Sequence, residues 1–190
     1  MEQLQQREWY ELQSRTWHLL RRREHIRISK HRPLLQHLVI PSFTDTWCID
    51  VVRTGETLCV YRTVWHMTRD INAFTTASER LKHPRPFVPT IASTPLDIGQ
   101  NALTHLLARF GQIEIPLQQT ANSICIDGVS FELQIGDGWT GIMLQWHNDL
   151  PNEWPAQLQT LVSELNEMEA CNAAQASEQS DAGERRSHAD

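Results

Sequence analysis

Apolar side chains recur at helical spacing over the first part of the chain. The segment from Gln3 to about Arg23 contains no glycine or proline, and its least polar residues share one side. That side carries Trp9, Leu12, Thr16, Leu19 and Leu20. Spacings of three and four residues are typical of an amphipathic helix. The sequence therefore predicts an N-terminal helix, which runs into a basic segment that Pro33 closes.

A second region alternates apolar and polar residues on both sides of a turn. Residues 47–65 show this alternation around Thr54-Gly55, which favours a β-hairpin. The predicted register places Arg53 opposite Glu56. One face of this hairpin is then apolar, and the other face is mixed.

The clearest pattern lies between residues 123 and 146. Alternating segments flank Asp127-Gly128 and Asp137-Gly138, and Asp-Gly is preferred in two-residue hairpin turns. Both turns place the same apolar residues on one face. The sequence therefore predicts a three-stranded antiparallel meander.

Three further helices are predicted from caps and apolar spacing. One covers residues 70–82, with Asp70 as its cap. Another follows a capping box at Thr94–Asp97 and ends at Gly111 in a left-handed conformation. The third covers residues 152–168, and its apolar stripe is expected to lie across the meander.

These elements predict an α+β fold of one domain's size. An antiparallel sheet, made of a two-stranded hairpin and a three-stranded meander, is covered by helices, with an N-terminal helix at one end. We expect a basic amphipathic helix over residues 1–33, an α+β domain over 34–168 and a disordered acidic tail over 169–190, which has no apolar period. The apolar stretch Leu34–Ile40 is assigned to neither helix nor strand by its spacing.

The net charge of -6 hides a polarity along the chain. Residues 1–33 carry a formal charge of +4, residues 34–148 carry -3 and residues 149–190 carry -7. The positive charge is concentrated between Arg21 and Arg32, where six of twelve residues are basic and one is acidic. Such a run suits contacts with phosphate or carboxylate groups. It also complements the negative end of a helix dipole without any further role.

Apolar stretches in the chain are short. Those free of charged residues reach about 12 residues, whereas a membrane helix needs about 20. The first residues also lack the apolar core of a signal peptide. We therefore expect a cytoplasmic protein that makes no membrane contact.

Residues that often carry chemistry show no familiar spacing. The four cysteines form no CxxC pair, and the predicted hairpin sets Cys48 and Cys59 too far apart for a disulfide, so reduced thiols are expected. The nine histidines match no zinc-binding motif, and no nucleotide-binding glycine motif occurs. The sequence predicts no catalytic residue, no metal site and no cofactor. An enzyme with a Cys/His or metal site stays as an alternative, because such residues meet in space and not in sequence.

Several short runs resemble the ending of a set of small uncharacterised bacterial α+β proteins. That ending has the form DG-x-x-[FY]-E-L, then an aromatic strand, then P-x-x-W-x-x-L. The matching runs are Ile126-Asp127-Gly128, Phe131-Glu132-Leu133, Leu144-Gln145-Trp146, Pro151, Trp154 and Leu158, with Arg62-Thr63-Val64-Trp65 and Arg80–Pro84 upstream. Some proteins of this appearance lie among toxin-immunity and defence genes. The resemblance therefore implies binding to a partner, and it implies no catalytic residue.

We interpret the sequence as that of a non-catalytic, bacterial, cytoplasmic protein-binding module with an immunity-like or regulatory role. Its partner is expected to be another protein. The alternative is a nucleic-acid-binding protein that uses residues 21–32. The candidate contact residues are Arg21, Arg22, Arg23, Arg27, Lys30, Arg32, Tyr61, Trp65 and Arg69.

Overall fold

The computed structural model describes residues 3–26, 31–76, 87–114, 128–136, 141–150 and 154–168, without the side chains of residues 3–5 and 25. Within these ranges the fold is α+β, as predicted. The helices are α1 (Gln3–Arg21), α2 (Met67–Thr75), α3 (Gln100–Phe110) and α4 (residues 156–168). The strands are β1 (Arg32–Pro41), β2 (Thr46–Thr54), β3 (Thr57–Trp65), β4 (Ile91–Leu96), β5 (Val129–Ile135) and β6 (Ile142–His147).

The strands form one sheet in the order β4-β3-β2-β1-β5-β6, and all neighbours are antiparallel. The stretch Leu34–Ile40, which spacing left unassigned, belongs to the central strand β1. Residues 35–39 of this strand are buried on both faces of the sheet. A strand covered on both faces has no polar side, so its sequence lacks the alternation that identifies a half-buried strand.

The predicted hairpin is β2 and β3, but its register was wrong by two residues. The closing pair is Thr54 with Thr57, and Arg53 lies opposite Leu58 and not Glu56. The loop is therefore Gly55-Glu56, with φ +60° at Gly55. A type II′ turn requires glycine at its first loop position, which fixes this register. A shift of two residues keeps every side chain on its predicted face.

The predicted meander applies only to β5 and β6. Their register is also two residues from the predicted one, since Leu133 lies opposite Leu144. The edge of β5 that the meander gave to residues 123–126 pairs instead with β1. Residues 115–127 and the Asp137-Gly138 turn lie outside the described residues.

Two predicted helix starts were wrong. The helix α2 begins at Met67, so Asp70 lies inside it, and its buried carboxylate accepts hydrogen bonds from Trp65 Nε1 and from the Thr90 backbone and hydroxyl. Residues 94–96 of the predicted capping box belong to the edge strand β4, and Asp97 follows it. Pro95 is tolerated there because an edge strand has one unpaired side. The part of the first predicted helix beyond residue 76 lies outside the described residues.

The helix predicted after the capping box starts at Gln100. The side chain of Gln100 links this helix start to the sheet. The Gln100 amide bonds both the N–H and the C=O of Leu58, at 2.9 and 2.7 Å. It thus continues the ladder of β3 beyond the end of β4. The helix ends near Gly111, as expected, but this residue is right-handed with φ -68°. The left-handed cap predicted there was wrong.

Helices α3 and α4 cover one face of the sheet, which we call the main face. The predicted stripe of α4 is confirmed, since Leu158, Leu161, Val162 and Leu165 are buried in the principal core. From α3 the same core includes Leu103, Leu106 and Phe110. The strands contribute Ile49, Val51, Val60, Leu133, Leu144 and Trp146, among others. The main face therefore holds most of the apolar packing.

The opposite face, which we call the α1 face, is covered by α1 and α2. The predicted apolar side of α1 is confirmed, because Leu12, Thr16 and Leu20 are buried. A second core cluster on this face joins Leu20 to Leu38, Cys48, Trp65 and Met67. The sheet is thus enclosed between two helical layers.

A histidine lies inside the main core. The His37 ring stacks on Phe131 and Trp146, with ring centroids 6.2 and 6.0 Å away, and its Nε2 lies 3.0 Å from Asn166 Oδ1. Burial lowers the pKa of His37 to about 4, although the hydrogen bond with Asn166 acts in the opposite direction. The ring is therefore neutral in the folded protein at ordinary pH.

We expect acid to destabilise the fold through His37. The unfolded residue binds a proton near pH 6.5 and the folded residue only near pH 4, so unfolding takes up a proton between these values. The free energy of unfolding should fall by up to about 1.4 kcal/mol per pH unit as pH drops through this window. Urea unfolding at several pH values would measure this slope. His37→Phe should remove it, whereas the exposed control His105→Gln should keep it. An equal slope in wild type and His37→Phe would contradict the assignment.

Candidate functional site

The end of α1 brings the first residues of the basic segment against the sheet. Arg23 follows the last turn of this helix with a φ of +55°, and its N–H donates to Leu20 O at 2.9 Å. A left-handed residue at this position ends a helix, but it is normally glycine. An arginine here carries a backbone cost of about 1 kcal/mol, which other contacts must offset.

The side chain of Arg23 supplies such a contact. Its side chain is 4% exposed, and its Nε donates at 3.1 Å to Oδ1 of Asp50, whose side chain is fully buried. The same oxygen accepts from Gln36 Nε2 at 2.8 Å, and Gln36 also donates to Leu20 O. A side chain of β1 thus joins the last turn of α1 to a carboxylate of β2. The Arg23 Nη2 atom has no hydrogen-bond partner.

The cysteine beside this network is not an activated nucleophile. The Cys48 thiol is fully buried and donates to Asp50 Oδ2 at 3.3 Å. Burial raises the pKa of Cys48, and the nearby Asp50 charge raises it further. A reactive cysteine needs the opposite shift and access to substrate. Cys48 and Cys59 are both free thiols, as expected.

A second ion pair holds the same helix end to β5. Arg21 pairs with Glu132 through both its Nε and Nη2 atoms, the Nε contact being 2.7 Å. This hydrogen bonding raises the pKa of Arg21, although burial opposes the shift. Glu132 also accepts from Gln145 on β6. Two arginines of the basic segment are therefore bound by carboxylates of the sheet.

Other arginines lie exposed at the hairpin end of the sheet. Arg32 is the Cα partner of Arg53 across the β1–β2 ladder, and both side chains are exposed. Neither one forms an ion pair with any described residue. His31 and Tyr61, with ring centroids 5.8 Å apart, lie on the α1 face, where His31 Nδ1 is 2.5 Å from Thr54 Oγ1. Arg53 alternates with these residues and lies on the main-face side, like Ile49 and Val51. We call Arg32 and Arg53 the hairpin-end patch.

The remaining candidate contact residues lie elsewhere. Trp65 is fully buried beneath α1, with its ring stacked 6.1 Å from that of Trp9, so it forms no part of a surface. Arg69 is exposed on α2. Arg22 is exposed and lies 4.0 Å from Glu24. Arg27 and Lys30 lie outside the described residues.

Sequence reasoning missed Arg53 for an identifiable reason. The predicted hairpin register placed Arg53 opposite Glu56, which would have neutralised it. The real register places it between Leu58 and Arg32. Recognising Gly55 as the first residue of the turn would have shown that Arg53 does not lie opposite Glu56.

The part of the chain that the structure describes has neither a metal-binding cluster nor a helix that could span a membrane. Its His, Cys, Asp and Glu side chains form no group of three or more that could hold a metal ion. None of its helices has the length and hydropathy that crossing a membrane requires.

Comparison with known proteins assigns no family. No protein-family model, curated protein or solved structure matches the chain. The geometry of its own residues is therefore the basis for any functional proposal.

We expect the buried pair to be essential for stability. Arg23→Met leaves the Asp50 charge buried without its cation, which typically costs about 3–5 kcal/mol. The double variant Arg23→Met/Asp50→Asn removes both charges and keeps an acceptor for Gln36, so it should lose less. Urea unfolding measures both differences.

The matched control is Arg22→Met. This residue is exposed, so its replacement should change the free energy of unfolding by less than about 0.5 kcal/mol. If Arg23→Met were as mild as Arg22→Met, the buried pair would not hold α1 in place.

Proposed function

We propose that the protein is a non-catalytic protein-binding module that uses the hairpin-end patch to bind an acidic surface of another protein. The observation that carries this proposal is that Arg32 and Arg53 are exposed, lie opposite each other across two strands and form no ion pair with any described residue. Like charges directly opposite in an antiparallel ladder destabilise it. Nothing in the described structure compensates this cost, so we attribute it to the binding of a partner.

The chemistry of the patch favours a carboxylate-rich partner. Guanidinium groups present planar forks of donors that match carboxylates in a bidentate geometry. A carboxylate placed between Arg32 and Arg53 would offset the repulsion between their charges, and two carboxylates would neutralise both. Arginine is also enriched among residues that dominate protein interfaces.

A protein partner is favoured over nucleic acid by where the other charges lie. Arg23 is buried against Asp50, and Arg21, although partly exposed, is paired with Glu132, so the two do not form a free row of cations for phosphate. The immunity-like or regulatory role implied by the sequence resemblance fits such a binding module and belongs to the same proposal.

Affinity capture with matched variants tests the proposal. The baits are wild type, Arg32→Gln/Arg53→Gln and the control Arg7→Gln/Arg109→Gln, which loses the same charge at exposed sites elsewhere. We expect mass spectrometry to identify a protein that wild type and the control capture and that the patch variant loses. The purified partner should bind the patch variant at least about tenfold more weakly. Nuclease treatment of the lysate should not change this result.

A stability measurement accompanies the capture. Removing a like-charge pair should leave the patch variant as stable as wild type or slightly more stable. Equal capture by all three baits, or capture abolished by nuclease, would refute the proposal. So would a large loss of stability in the patch variant, because the arginines would then have a structural role.

A further inference from the structure

The two edges of the sheet differ in how they are protected. The edge strand β4 contains Pro95, which lacks an N–H and discourages an added strand. The edge strand β6 contains no proline, lysine, arginine or carboxylate. No described strand pairs with the outer edge of β6. Its backbone groups are therefore a template for one more strand.

The side chains of β6 add exposed apolar surface to this edge. Ile142 is 51% exposed on the main face, and Met143 is 58% exposed on the α1 face. The two residues are adjacent, so both sides of the edge are apolar at the same point. In contrast, Leu144 and Trp146 are buried beneath the main core. The uncovered apolar surface thus continues an existing core.

We propose that β6 pairs with β6 of a second copy of this chain, giving a two-fold dimer with one continuous sheet. A two-fold axis perpendicular to the sheet keeps each residue on its own face. Because paired residues share a face, the axis must pass midway between one residue and the same residue of the second copy. Axes beside Leu144 and beside Gln145, the two central residues of β6, both meet this condition, and the pairs that they create decide between them.

The register about Leu144 pairs only uncharged side chains of β6. It places Ile142 opposite the second copy's Trp146, and Met143 opposite the second copy's Gln145. The alternative axis through Gln145 would place Ile142 opposite Asn148, which has a φ of +57° and cannot continue a strand. Because β6 contains no lysine, arginine or carboxylate, a second copy brings no pair of these charges into the ladder.

A second copy of β6 also suits this edge better than a charged strand of another protein does, because β6 contains no lysine, arginine or carboxylate. A charged segment from another protein would bury its charges beside an apolar, neutral strand, which is unfavourable. A short ladder buries less surface than a typical stable interface, so we expect dissociation in the micromolar range. The hairpin-end patch is not part of this edge, and either proposal can fail alone.

Sedimentation equilibrium of the full chain across the micromolar range tests the dimer. Wild type should show a reversible monomer–dimer equilibrium. Met143→Lys should weaken association at least about tenfold, because apolar contact is lost and two lysines approach across the axis. Val88→Lys is the control, since Val88 is 69% exposed away from this edge, and it should associate like wild type.

A mixture of two variants tests the register. Met143→Lys and Met143→Glu should associate with each other about fivefold more tightly than either does with itself, because residues 143 of the two copies are diagonal neighbours. Circular dichroism should show that both variants fold. A monomeric wild type, equal association of Met143→Lys, open-ended aggregates or no gain in the mixture would each overturn the proposal.

Discussion

The buried pair of Arg23 and Asp50 determines how the N-terminal helix is attached to the sheet. Arg23 ends α1 in a left-handed conformation and turns its guanidinium beneath the helix. The buried Asp50 carboxylate accepts hydrogen bonds there from Arg23, Gln36 and Cys48. Each of these groups would be costly to bury alone. The network therefore favours one position of the helix end, which apolar contacts alone would leave less defined.

This attachment divides the basic segment into two groups. Arg21 and Arg23 are bound by carboxylates of the sheet, whereas Arg32 reaches the surface opposite Arg53. A basic run that appears uniform in the sequence thus has an inner and an outer part. The inner part stabilises the fold, and we propose that the outer part binds a partner. The edge of β6 that pairs with no described strand is a separate feature, because this strand contains no lysine, arginine or carboxylate.

Much of the fold could be predicted from the sequence where a pattern is local. Helical spacing identified α1 and α4, and alternation identified β2, β3, β5 and β6. Non-local pairing could not be predicted in the same way. The central strand β1 has no alternation because it is covered on both faces. Threonine, proline and aspartate at 94–97 imitate a capping box, but that segment leads out of the edge strand β4.

The candidate site was predicted only in part, for a related reason. Arg21, Arg23 and Arg32 were recognised as a basic run, but their partners lie far away in the sequence. Asp50 is 27 residues from Arg23, and Glu132 is 111 residues from Arg21. No spacing rule connects such residues before the sheet order is known. Arg53 lies opposite Leu58 and not Glu56 because Gly55 sets the register of the hairpin.

The division of the arginines can be observed directly by NMR of their side-chain Nε–H groups. The resonances of Arg21 and Arg23 should exchange slowly with water and should not move when poly-L-glutamate is added, because their protons are held by buried carboxylates. Arg32 and Arg53 should exchange quickly and shift on addition of the acidic polymer. Fast exchange at Arg23, or shifts of Arg23 equal to those of Arg32, would contradict the account.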